Sequence, residues 1–108
     1  LPTRNGENEM IIKEMNEYEF VDLMQQARAD SFSREGCRVL HDYLENLSEE
    51  IDEDIKFDPI AFCCEWSEYD SLEECQQDYD VADMEELESN TTVLPFPLPS
   101  QSFLVRAY

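Results

Sequence analysis

Apolar residues first recur at helical spacing in NEYEFVDLMQQARA, where Phe20, Leu23, Met24 and Ala27 stand three and four positions apart and share one side of a helix. Asn16 and Glu19 have capping-box spacing, and Met15 is placed to staple onto Phe20, so the pattern predicts a helix from there to about Ala29. Ser33 predicts the cap of a second helix with Glu35 in its first turn, along which Cys37, Leu40, Leu44, Leu47 and Ile51 form a single stripe. This is the longest element that the pattern supports. His41 lies beside the stripe, next to Asp42 and ahead of Glu45, a setting for a solvated or hydrogen-bonded histidine rather than a lone catalytic one.

From Ile55 to Trp66 the texture changes to a mostly apolar run, short for a helix and suited to a strand covered on both faces, with Pro59 limiting it near its start. This run is expected to be the central strand. Ser71 and Glu74 repeat the capping-box spacing, and Leu72, Cys75 and Tyr79 predict the inner face of a short helix, with another turn or two over Val81 to Glu88. Thr91 to Phe96 and Ser102 to Tyr108 are rich in strand formers around a proline-rich turn and predict an antiparallel hairpin. Pro95 and Pro97 are awkward in a central strand, so Thr91 to Phe96 is expected to lie at an edge or to break early. Met10 to Lys13 predicts a short strand, and residues 1–9 carry no apolar period and read as a tail or expression remnant.

The expectation is therefore one α+β domain over residues 10–108. Two N-terminal helices pack on a small, mainly antiparallel sheet made of a central strand and a C-terminal hairpin, with a short acidic helix between. Phe20, Leu40, Leu44, Phe62, Cys64 and Val105 are the expected core.

Charge changes this picture more than composition does. The 108 residues hold 27 Asp and Glu against 7 Lys and Arg, a net charge of −20, where small soluble domains usually carry a magnitude of about 2–8. Such a field opposes approach to bare nucleic acid or an anionic membrane and favours a basic protein partner. Between Lys56 and Arg106 there is no basic residue, yet 12 acids fall there. A second run occupies the outer face and C-terminal end of the second helix, where acids oppose the helix dipole. A pattern that gives up folding stability in this way is a candidate for function.

Carboxylates at i, i+3 and i+4 on a helix lie ~5–6 Å apart, comparable to the phosphates of a nucleic-acid strand, at one charge per ~3.4 Å of axis. A rigid acidic face can thus imitate a duplex backbone. The candidate partner-binding residues are Asp42, Glu45, Glu49, Glu50, Asp52, Glu53 and Asp54 in one run, and Glu65, Glu68, Asp70, Glu73, Glu74 and Asp78 in the other. The bland alternative is that the acids serve only general solubility or reflect a salt-adapted proteome. In that case an apolar surface around Trp66, Phe96 or Tyr108 becomes the candidate for binding.

The densest chemistry, AFCCEWSEYDSLEECQQDYD, invites a metal or redox reading that its spacing does not support. Cys37, Cys63, Cys64 and Cys75 make no C-x-x-C pair, His41 is the one histidine, and adjacent cysteines on a strand point to opposite faces. Buried reduced thiols are expected, with Cys63 and Cys64 resisting a labelling reagent. IDEDIKFDP lacks the turn glycine of a calcium loop, and the two glycines of the chain, Gly6 and Gly36, build no phosphate-binding loop. No catalytic residue, metal or cofactor is assigned. No apolar run approaches ~18 residues and no signal-peptide pattern is visible, which points to a cytoplasmic setting.

The succession NEYEF, FSREG with LHDYLE, DPIAFCCEWSEYDSLEE, NTTVLPF and FLVRAY resembles a group of small acidic proteins carried by phages and other mobile elements, over roughly Met10 to Tyr108. That resemblance implies a compact α+β domain and a class rich in inhibitors of host restriction or CRISPR nucleases; it brings no catalytic set. The expected function is a non-catalytic DNA mimic of anti-restriction or anti-CRISPR type. Its partner would be a basic host nuclease or other nucleic-acid-binding complex. The alternative is an acidic chaperone or adaptor for another basic client. Assembly of a homodimer would extend the acidic face.

Overall fold

The computed structural model describes residues 10–28 and 30–108; the expected tail over 1–9 and the expected helix end at Ala29 lie outside the described residues. The fold is α+β. A 3₁₀ turn, Ile12–Glu14, leads into α1 (Glu17–Arg28) and α2 (Arg34–Ile51). Next come α3 (Pro59–Glu65), β1 (Trp66–Tyr69), α4 (Leu72–Cys75), α5 (Met84–Asn90), β2 (Val93–Pro95) and β3 (Phe103–Arg106).

The capping signals act as the spacing predicts. Asn16 Oδ1 accepts the Glu19 N–H at 2.8 Å, Ser33 Oγ accepts that of Gly36 at 3.0 Å, and Ser71 Oγ accepts that of Glu74 at 3.2 Å. Each satisfies one of the donors that a helix start leaves open. Asp83 caps α5 in the same way, accepting the Glu86 N–H at 2.9 Å.

The sheet is antiparallel with strand order β1-β3-β2, so the last strand in sequence is the central one. Trp66 faces Arg106 and Tyr69 faces Phe103 on one side of β3, while Val93 faces Val105 and Pro95 faces Phe103 on the other. Pro95 thus sits in an edge strand, where its missing donor is harmless. Phe103, Leu104 and Val105 are all buried, because β3 is covered on both faces. Leu104 joins Trp66 and the apolar sides of α1, α2 and α3, including Phe20, Met24, Cys37, Leu40, Leu44 and Phe62. Phe103 and Val105, pointing the other way, join Tyr69, Cys75, Val81 and Leu87 from the α4 and α5 side. The sheet is a thin middle layer between two cores.

The expected central strand over Ile55 to Trp66 is corrected to a helix with an extended lead-in. Asp58 Oδ1 accepts the Ala61 N–H at 3.2 Å and Pro59 occupies the first turn, so the proline that suggested a strand limit instead starts α3. Ahead of it, Ile55 and Phe57 hydrogen-bond back to Ile12 and Met10 at 2.8 and 2.7 Å. The expected strand over Met10 to Lys13 is reduced to the single bridge Ile11 with Lys56 and the 3₁₀ turn.

The period change also corrects the cysteines. On a strand, Phe62 and Cys64 would share a face; on a helix they diverge, so Phe62 is buried while Cys64 is exposed and Cys63 is half-buried. Cys37 and Cys75 are the buried thiols. On α2 the inner stripe turns to take in His41 and Ser48, leaving Ile51 46% exposed. His41 is buried, with Nε2 3.1 Å from the Met15 carbonyl and its ring 5.1 Å from that of Phe20, the hydrogen-bonded alternative. Trp66 and Phe96 are buried too, and only Tyr108 of the three proposed apolar surface residues is exposed, stacked on Tyr79 at 4.7 Å.

Candidate acidic interaction surface

Three of the described cations pair close to home. Lys13 pairs with Asp54 at 3.0 Å, Arg34 with Asp22 at 3.2 Å, and Arg38 with Glu17 at 3.4 Å and Glu35 at 3.2 Å. None of these four ion pairs reaches the acids from Asp58 to Glu88. Half-exposed pairs of this kind contribute little to stability, ~0–1 kcal/mol each, but they divide the surface. All four lie on the α1–α2 side of the molecule, and none lies in the α4–α5 layer.

The candidate residues occupy two patches. On α2, Asp42, Glu45 and Glu49 succeed one another at three and four positions and form one row, with Asp42 and Glu49 exposed and Glu45 half-exposed. Glu50, Asp52, Glu53 and Asp54 continue around the end of the helix, all exposed. Asp52 there adopts the left-handed conformation, φ 55° and ψ 43°, its N–H donating to the Ser48 carbonyl. Glycine is the usual residue at such a stop because it has no Cβ to clash. Ser48 Oγ then donates to the Glu53 carbonyl at 2.6 Å and secures the turn. Acids here face the negative end of the helix dipole with no basic residue in the last turn.

The second patch starts with Glu65 at the end of α3 and runs along the edge strand β1 into α4. Several of its acids also have structural work. Glu68 Oε1 accepts the Ser33 N–H at 2.9 Å, Glu74 Oε1 accepts the Asp70 N–H at 2.8 Å, and Asp78 accepts the Tyr69 hydroxyl at 2.8 Å. Glu86, outside the candidate set, repeats the arrangement of Glu74 by accepting the Ala82 N–H at 2.7 Å. Glu65, Asp70, Glu73, Glu74 and Asp78 are exposed and Glu68 is half-exposed.

Where the α1–α2 loop meets β1 and α4, Glu68, Asp70 and Glu74 converge with Asp30 around an open depression of about 430 Å³ floored by Phe32. Asp30 was not among the residues singled out in the sequence. Thirty-eight positions separate it from Glu68, and only the packing of β1 beside the α2 start brings them together. The α2 row does not enter this depression. The second patch spans both layers, since Glu65 ends α3 and Glu68 reaches the start of α2 while Glu73 and Glu74 belong to α4.

The buried phenol and thiols are held in their neutral forms. Burial, then the hydrogen bond to Asp78 and its charge, raise the Tyr69 hydroxyl well above the ordinary tyrosine range. Burial likewise raises Cys37 and, with Asp78 nearby, Cys75. A raised thiol is a poorer nucleophile near neutrality. Among the described residues no group of three or more His, Cys, Asp or Glu is arranged to hold a metal ion, and no helix is long and apolar enough to cross a membrane. Comparisons with protein-family models, curated proteins and solved structures find no match to this chain.

Proposed function

We propose that this protein is a non-catalytic inhibitor that offers carboxylates in place of phosphates to a basic, nucleic-acid-binding protein, of the kind found among host restriction and CRISPR nucleases. The observation that carries the reading is the unbalanced layer from Asp58 to Glu88, whose exposed acids lie outside every described ion pair. The row Asp42, Glu45, Glu49 adds carboxylates at a spacing close to that of a phosphate backbone. A Lys- or Arg-lined groove would bind such a surface through charge complementarity and fast, salt-sensitive association. The depression around Asp30 and Asp70 suits one lysine or arginine side chain of that groove.

The test is displacement. A labelled DNA duplex bound to a restriction or CRISPR nuclease should be released as the protein is added, and release should fail when Asp70 and Glu73 are both changed to lysine. A nuclease that holds duplex and protein together would refute mimicry. The second reading, an adaptor or chaperone for another basic client, is favoured by one feature, the exposed apolar loop at Leu98. It is distinguished by suppression of client aggregation without competition from DNA. Either role places the protein beside its basic partner in the host cytoplasm.

A further inference from the structure

The turn between β2 and β3 departs from the acidic surface around it. Leu98 is 91% exposed, the most exposed large hydrophobic residue described, and it stands between Pro97 and Pro99. Prolines fix their own φ, so the leucine is presented by a stiff segment and loses little freedom when it is covered. Beneath the loop lies a groove of about 280 Å³ whose apolar lining includes Leu72, Met84, Phe96, Leu98 and Phe103. It opens between the hairpin and the α4–α5 layer.

Its rim is acidic. Glu73 lines the groove directly, and Glu88, four positions after Met84 on α5, lies on the same helix face. On the other side of the loop, Glu35, which pairs with Arg38, lines a hollow with Pro97, Leu98 and Pro99, and among the described residues no lysine or arginine lines either space. An apolar slot edged by a carboxylate, in a chain of net charge −20, fits an apolar side chain that has cations beside it. A second copy of the chain brings the same −20 charge, and an anionic membrane or nucleic acid is repelled.

We propose that this groove receives one aliphatic or aromatic side chain from a basic segment of the partner protein, whose neighbouring lysines or arginines meet Glu73 and the acids around it. The proposal rests on the reading of a basic protein partner and adds an apolar anchor to it. Charge then governs approach, and the groove governs which basic protein stays bound.

The test titrates the isotope-labelled full chain with a short lysine-rich peptide carrying one central phenylalanine, and with a control carrying serine in its place, while backbone amide shifts are followed. The phenylalanine peptide should bind roughly ten-fold tighter and shift the amides of Leu72, Met84, Leu98 and Phe103. Leu98→Ser, at a fully solvated position, should narrow that preference and leave the serine peptide unaffected. Glu73→Lys should weaken both. Equal binding of the two peptides would overturn the anchor and leave the acidic-surface reading standing, whereas failure of both to bind would remove both. A neutral phenylalanine peptide that binds as tightly, or a Leu98-dependent dimer, would overturn the basic occupant.

Discussion

Glu68 on β1 accepts the backbone N–H of Ser33 at 2.9 Å across thirty-five positions of sequence. Ser33 is the cap of α2, and in a capping box the carboxylate for this proton comes from the third residue of the same helix. That residue is Gly36, and a Cβ built on it would collide with Glu68 Oε1. Helix α2 thus omits its own carboxylate and takes one from the sheet.

Removing Glu68 with alanine should lower stability by about 1–2 kcal/mol. Gly36→Ala, which gains about 1 kcal/mol in an unobstructed helix, should be neutral or destabilising in the wild type and stabilising once Glu68 is alanine. Denaturant unfolding of both single variants and the double variant closes the cycle. Simple additivity would show that the carboxylate does not occupy this space.

At the other end of α2, Asp52→Gly should raise stability by about 1 kcal/mol, because it removes both a side chain from a left-handed position and an acid from the negative helix end. Glu50→Lys should add ~0.3–1 kcal/mol by complementing the same dipole. Calorimetric melting reads both, and the benefit of the lysine should shrink as salt rises. A loss of stability in Asp52→Gly would mean that the carboxylate holds an interaction beyond the turn.

Thiol reactivity separates the four cysteines into two classes. Cys64 should label quickly in the folded protein and Cys63 more slowly, while Cys37 and Cys75 should react only after denaturation. Mass spectrometry of the labelled peptides assigns each site. Native labelling of Cys37 at the rate of Cys64 would contradict the packing of α2 against α1.

Tyr69 gives a pH dependence with a defined sign. Its ionisation is raised in the folded protein, so its contribution is fully present below the ordinary tyrosine value of 10 and declines as pH climbs above it. Stability measured from neutral pH upward should fall beyond that point, and Tyr69→Phe should flatten part of the decline. Asp78→Asn should let the phenol ionise earlier, though burial keeps it above its ordinary range. A phenol that titrates normally in the folded state would contradict the contact with Asp78.

Charge reversal tells which patch engages a basic partner. Lysines at Asp70 and Glu73 should weaken nuclease binding more than lysines at Glu49 and Glu50, since the second patch carries the depression and the groove rim. Wild-type affinity should drop steeply as salt shortens the screening length from ~10 Å at 0.1 M to ~3 Å at 1 M. Affinity indifferent to both sets and to salt would end the electrostatic reading.

Elements with a cap and a long period were readable in the sequence. Asn16, Ser33 and Ser71 each announced a helix, and the prolines of the last hairpin announced an edge. The segment before Trp66 was not, because a short apolar run has the same composition in either conformation and only the pair Asp58–Pro59 distinguishes them. The site was legible as a list of acids but not as an arrangement. Nothing local to Glu68 indicates that its partner is Ser33, and nothing local to Asp30 indicates that it faces Asp70. The groove under Leu98 has no local signature, because its walls come from α4, α5 and both hairpin strands.

The central position of β3 bears on how the chain is made. Until Phe103–Arg106 emerges from the ribosome, β1 and β2 have no strand to pair with, one core lacks Leu104 and the other lacks Phe103 and Val105. Nascent chains in that condition expose strand edges and are prone to aggregate. The acids between Asp58 and Glu88 flank β1 throughout this interval and lie between the two waiting strands. The charge that would later attract a basic protein therefore first keeps the unfinished chain from its own neighbours, as gatekeeper residues do.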